Sequence, residues 1–134
     1  MESKKQVHVV VALIWKEDCI LVCQRPNHKT RGGYWEFVGG KIEDGETKQQ
    51  ALIRECMEEL NITVNPLSIF AETQYEYPDM ALKITAFIAE ICAGDPVCVE
   101  HQRITWLTAQ ELSAYKFSEA AERIVERIIQ LQVY

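Results

Sequence analysis

The chain has 134 residues, 48% apolar and 25% charged, which suits one globular domain with a real core. Its formal net charge of -6 argues against a nucleic-acid polymer as ligand, since no basic groove is present to neutralise phosphates, although a divalent cation could still bring a small phosphorylated ligand to an acidic protein. Five cysteines, an odd number without CxxC spacing, argue against a disulfide framework or structural zinc and for reduced core thiols.

Lys4 and Lys5 ahead of the apolar run 7–15 share the outline of a secretory signal, but Lys16-Glu17-Asp18 follows in place of a small-residue cleavage site. No segment approaches the roughly 20 apolar residues of a membrane span, so the expected location is the cytoplasm, with no membrane partner. Residues 6–15, rich in Val and Ile on both faces, predict a buried strand. After the turn at 16–18, residues 19–24 predict the returning strand of a hairpin. Pro26, Asn27, Gly32 and Gly33 make 25–33 a loop; 35–38 is a short extended piece that Gly39-Gly40 ends.

Thr47, with Gln50 three residues on, fits a capping box that opens a helix. Ala51, Leu52, Cys56 and Leu60 give that helix its apolar stripe, and Asn61 tolerates the left-handed closure. Strands are predicted over 67–77 and, past the turn at Pro78-Asp79, over 82–88 by alternation; 93–96 is a loop and 101–107 another extended segment. Ser118 caps a final helix with an apolar face of Ala121, Ile124, Val125, Ile128 and Leu131. Strands and helices in this order indicate an α/β fold, a mixed sheet with helices packed on it.

Glu55, Glu58 and Glu59 fall on the first predicted helix, within a fan of about 100°. Like charges at these spacings cost a few tenths of a kcal/mol per pair, roughly 0.2–0.5. Taken alone, three carboxylates suit a solvated face as well as a metal site. A hard divalent cation would turn their repulsion into attraction, because Mg²⁺ takes carboxylates, waters and phosphate oxygens.

The surrounding frame decides between these readings. Gly40, five residues, Glu46, seven residues, then Arg54-Glu55-Cys56-Met57-Glu58-Glu59-Leu60-Asn61-Ile62 resembles the Nudix box, over residues 40–62. Asn61 stands where that family has glycine. The resemblance implies an α/β/α sandwich with a mixed β-sheet, formed by a single domain over 1–134. It also implies a hydrolase of nucleoside diphosphates linked to another group, using Mg²⁺ or Mn²⁺. Carried over, Glu55, Glu58 and Glu59 would hold the metal, with a backbone carbonyl of Gly39 or Gly40. Glu46 and Arg54 would form a structural ion pair, and Lys41 would meet a phosphate.

"QRP", "WEFVGGKIEDGE", "YEYPD" and "KFSEAAERIVERI" further resemble the MutT-type branch, which hydrolyses nucleoside triphosphates to the monophosphate and pyrophosphate. That resemblance implies substrate contacts at Arg25, Glu36, Phe37, Val38 (where the branch has proline) and Lys41. It makes Glu100 a further metal ligand or base, a rival to Glu55 and Glu58 as proton acceptor; an ordinary surface glutamate is the other reading. Phe37 and Tyr75 are the favoured base-stacking aromatics. Ala121 stands where the branch often has Asn or Asp on the base edge, so strict selection of 8-oxoguanine is not expected and a pyrimidine or a broader range stays open. Other nucleoside-diphosphate substrates, such as ADP-ribose or a nucleotide sugar, remain an alternative, as does a catalytically silent nucleotide sensor. The expected partner is a small nucleotide, with the protein a monomer or homodimer.

Overall fold

The computed structural model describes residues 4–131. The remaining residues of the expected 1–134 span lie outside the described ones. The fold begins with β1 (Lys5–Lys16), β2 (Cys19–Gln24), β3 (Trp35–Glu36) and β4 (Val38–Lys41), then α1 (Lys48–Leu60). A long hairpin of β5 (Thr63–Glu76) and β6 (Met80–Ala93) leads to β7 (Arg103–Thr108), a single 3-10 turn (Glu111–Ala114) and α2 (Glu119–Leu131).

Strand β1 is the hub. It runs parallel to β6 from Lys5 to Ile14, antiparallel to β4 from Val9 to Ala12, and antiparallel to β2 only at Trp15 and Lys16. Strand β2 in turn pairs along its whole length with β7. The sheet is therefore mixed, ordered β3-β2-β1-β6-β5 with β4 and β7 branching from β1 and β2.

Alternation along β1 explains the layers. Val10, Ala12 and Ile14 face one side and pack with Ala51, Leu52, Cys56 and Leu60 of α1. Leu13, with Val9, Val11 and Trp15 beside it, faces the other side and meets Ile124, Val125 and Ile128 of α2. One helix on each face makes the α/β/α sandwich. Burying each large aliphatic side chain contributes about 1.5–3 kcal/mol, so both helices are held by packing rather than by propensity.

Several boundaries differ from the sequence reading. Gly39 and Gly40 do not end an extended piece; they sit inside β4, opposite Val11 and Val10. A Cβ on Gly39 would collide with the Val10 carbonyl, so the close pairing of β1 and β4 needs that glycine. Strand β5 starts at Thr63, ahead of the expected 67, and tolerates Pro66 because it is an edge strand with register shifts around that residue. Leu131 belongs to α2 but is exposed, beyond the reach of the sheet.

Candidate active site

Helix α1 opens as expected. Thr47 Oγ1 accepts from Gln50 N and the Gln50 side chain accepts from Thr47 N, closing a capping box. The helix ends on Asn61 at φ 56°, ψ 41°, whose N–H donates to the Met57 carbonyl. Both ends are thereby fixed, and the helix presents Glu55 to Gly40 of β4, leaves Glu58 exposed and buries Glu59.

Arg54 anchors this arrangement. Its Nε and Nη2 donate to the two oxygens of Glu46 at 2.7 and 2.9 Å, a bidentate pair. Nη2 also donates to the Lys41 carbonyl at 2.9 Å, tying the end of β4 to the helix. Nη1 reaches Glu55 at 3.1 Å and Glu58 at 3.2 Å. The hydrogen bonds from Arg54 hold the Glu46 carboxyl down at about 2, and those same carboxylates raise the guanidinium.

Glu55 and Glu59 lie in a different environment. Glu59 is 6% exposed, a buried carboxyl pushed up by burial first and then by the charges of Glu55, Glu36 and Glu100. Burial also raises Glu55, and Glu58 adds to the effect against the pull of Arg54. Gly40 adjoins this pair: a Cβ there would occupy the space of the Glu55 carboxylate. A cradle that only glycine leaves open, filled by crowded carboxylates, suits a hard divalent cation by charge and donor type. No three carboxylate, imidazole or thiol groups converge in ligating geometry among the described residues.

The glycines also line a cleft of about 280 Å³ on the α2 side of the sheet. Its apolar floor comes from β1 and β6, including Val9, Val11, Leu82 and Ile84. Phe37, stacked on Phe117 at 5.7 Å, and Tyr77 supply aromatic walls. Arg25, Glu36 and Lys41 provide charge near the glycines. Glu55 of α1 thus lies beside the cleft, against the side-chain-free Gly40 that lines it.

A NUDIX domain model matches residues 9–127. The chain belongs to the Nudix hydrolase family. Within it, the chain is MutT-like. It is 33% identical over 128 residues to the CTP pyrophosphohydrolase of Escherichia coli K12, covering 96% of this chain and 95% of the relative. It is likewise 33% identical over 128 residues to the 8-oxo-dGTP diphosphatase of the same organism, covering 95% and 99%. The solution structure of the E. coli ORF135 protein superposes with a TM-score of 0.82 at 32% identity, covering 96% of this chain and 92% of that one.

In this Nudix hydrolase the other expected site residues are distributed unevenly. Arg25 donates to Glu36 at 3.3 Å, and Phe37, Lys41 and Ala121 all line the cleft. Val38 does not: fully buried, it points into the α1 core, because its neighbours in β4 alternate faces. Tyr75 stands outside the cleft. Its ring faces Arg123 on α2, and Tyr77, one residue past the end of β5, takes the wall instead. Glu100 is exposed in a bend, close enough for its charge to raise Glu59.

His101 is absent from the sequence reading. Its side chain is 5% exposed, and Nε2 lies 3.2 Å from Glu36 and 3.4 Å from Glu59, so that nitrogen carries the proton and bridges two carboxylates. Its Nδ1 has no partner among the described residues. A chain of contacts Arg25–Glu36–His101–Glu59 therefore joins the cleft to the buried carboxylate.

Proposed function

We propose that this Nudix hydrolase is a Mg²⁺-dependent nucleoside triphosphate pyrophosphohydrolase that releases a nucleoside monophosphate and pyrophosphate. The observation that carries this reading is the Glu55 carboxylate lying against Gly40, a residue that also lines the cleft, with Glu58 and Glu59 on the same stretch of α1. The names of its relatives, a CTP pyrophosphohydrolase and an 8-oxo-dGTP diphosphatase, support the substrate class.

Glu55, Glu58 and Glu59, with a carbonyl of Gly39 or Gly40, would hold the cation. When bound, that cation neutralises phosphate charge and makes water a competent nucleophile at neutral pH. The remaining tasks belong to the chain's own residues. Lys41, at the exposed end of β4, meets phosphate oxygens. Arg54, pinned by Glu46, positions Glu55 and Glu58. Glu58, the exposed member of the three, accepts the proton from the attacking water, with Glu55 and the more distant Glu100 as rivals. Phe37 and Tyr77 flank the base.

The test is a panel of ribo- and deoxynucleoside triphosphates, oxidised dNTPs and ADP-ribose with Mg²⁺, with pyrophosphate and phosphate assayed separately. Pyrophosphate release is expected, and Glu58→Gln should lower kcat by roughly 10²–10⁴-fold. No pyrophosphate from any triphosphate, or full activity in Glu58→Gln, would sink the reading.

A further inference from the structure

The cleft's polar groups fall into two sets. Arg25 and Glu36 connect through His101 to Glu59, and Lys41 follows Gly40 beside Glu55; these belong with the phosphates. Arg31 and Ser118 form a second group, with Tyr77 and Ala121. The Arg31 guanidinium lies 3.9 Å from the centroid of the Tyr77 ring, and its Nη1 donates to Asp79 at 3.3 Å. The Tyr77 hydroxyl accepts from Ala120 N at 3.0 Å, so this stack is fastened to the start of α2.

Arg31 itself is held by its backbone. It adopts φ +60°, and the next residue, Gly32, packs where a Cβ would lie 2.5–2.6 Å from the Asn27 and Pro26 carbonyls. The tight loop, the ring and Asp79 together leave the Arg31 side chain only 20% exposed and pre-oriented at the cleft wall. One donor, Nη1, is committed to Asp79; the guanidinium's other N–H groups have no partner among the described residues.

This second group is rich in donors and poor in acceptors. Ser118 Oγ already accepts from Ala121 N, and Tyr77 Oη from Ala120 N, so each hydroxyl has chiefly a proton left to offer. Glu36, the cleft's carboxylate, is engaged by Arg25 and His101. Ala121 contributes no polar group.

We propose that Arg31 is a specificity-determining residue, whose guanidinium selects a base edge with two adjacent hydrogen-bond acceptors: cytosine O2/N3 or guanine O6/N7. An arginine fork matches such a pair in parallel, as it does with guanine in nucleic-acid recognition. Adenine sets its amino group beside N1 and N7 and leaves N3 without an adjacent second acceptor, and uracil sets its N3–H between its two carbonyls; both oppose the fork. The proposal rests on the cleft being a nucleoside triphosphate site and names the bases that site prefers.

Binding of the hydrolysis-resistant α,β-methylene analogues of CTP, GTP, ATP and UTP, measured by calorimetry with Mg²⁺, tests it. The wild-type protein should bind the cytidine and guanosine analogues ~10-fold or more tightly than the other two. Arg31→Leu should bring all four within about twofold by weakening only the first pair, the unchanged ATP and UTP affinities serving as the control for folding. Arg31→Lys, which keeps the charge and loses the fork, should behave like Arg31→Leu. Indifference to the base in the wild type, an equal loss across all four analogues in Arg31→Leu, or full preference in Arg31→Lys would each overturn the proposal. Because the analogues are not cleaved, base choice is read apart from turnover. Failure of the wild type to cleave natural triphosphates would instead remove the hydrolase reading above and leave the base preference standing.

Discussion

Two adjacent glycines do different work at the scale of single atoms. A methyl on Gly39 meets the Val10 carbonyl, rigid backbone in the middle of β1, whereas one on Gly40 meets only the far end of the Glu55 side chain. Gly39→Ala should therefore lower the melting temperature markedly. Gly40→Ala should fold with a smaller loss but displace Glu55 and cut pyrophosphate release. Melting curves and rates on both variants, compared side by side, check the division; equal effects on stability would contradict it. Glu46 makes a separate prediction in acid. Hydrogen bonds from Arg54 hold its folded carboxyl at about 2, below the ordinary value of 4.5, so the unfolded chain takes up the proton first. The stability it contributes is present above about pH 4.5 and disappears as pH falls toward 2. Glu46→Gln should flatten that limb of the stability curve, measured by urea unfolding between pH 7 and pH 2.5.

Helix α1 shows why capping chemistry was legible in advance. Asn61 occupies the left-handed region, where a residue with an ordinary Cβ costs roughly 1–2 kcal/mol and glycine costs nothing. Asn61→Gly should keep or raise stability, and Asn61→Ala should lower it by about 1 kcal/mol in urea melts. Two equally stable variants would mean that the cap is relaxed by rearrangement. The same local logic made Thr47, the apolar stripe, the β1–β2 hairpin and the Glu46–Arg54 pair readable, because each depends on neighbours within a turn or on a fixed spacing. Contacts set by the fold were not readable. His101 meets Glu36 and Glu59, which lie 65 and 42 residues away in sequence, and the only local hint was a histidine directly after Glu100. Tyr75 and Tyr77 are both aromatic and two apart; only the end of β5 and the approach of α2 determine that Tyr77 faces the cleft. The extra length of β5 was hidden by Pro66, which reads as a breaker unless the strand is known to be an edge.

At the scale of the whole molecule, two half-sites meet across one sheet. Helix α1 packs on one face and the cleft lies under α2 on the other; Gly40 lines that cleft, and its missing side chain leaves room for the Glu55 carboxylate, which joins the two. In a chain of net charge -6, Glu55 and Glu59 are crowded carboxyls whose proton affinity is raised, Glu59 first by burial and then by the charge of Glu55. A divalent cation bound there should act as a structural clamp as well as a cofactor. Free ligand at 100 times its dissociation constant adds about 2.7 kcal/mol to a folded state that alone binds it, which raises the melting temperature by several degrees in a protein of this size. Millimolar Mg²⁺ should therefore raise the melting temperature and EDTA should reverse the rise. Glu59→Gln should lose most of this response, since a carboxylate donor to the cation is gone. Arg31→Leu, at the proposed base contact, should keep it in full. A rise of equal size in Glu59→Gln would place the cation elsewhere on the acidic surface, and would separate the metal from the carboxylates of α1.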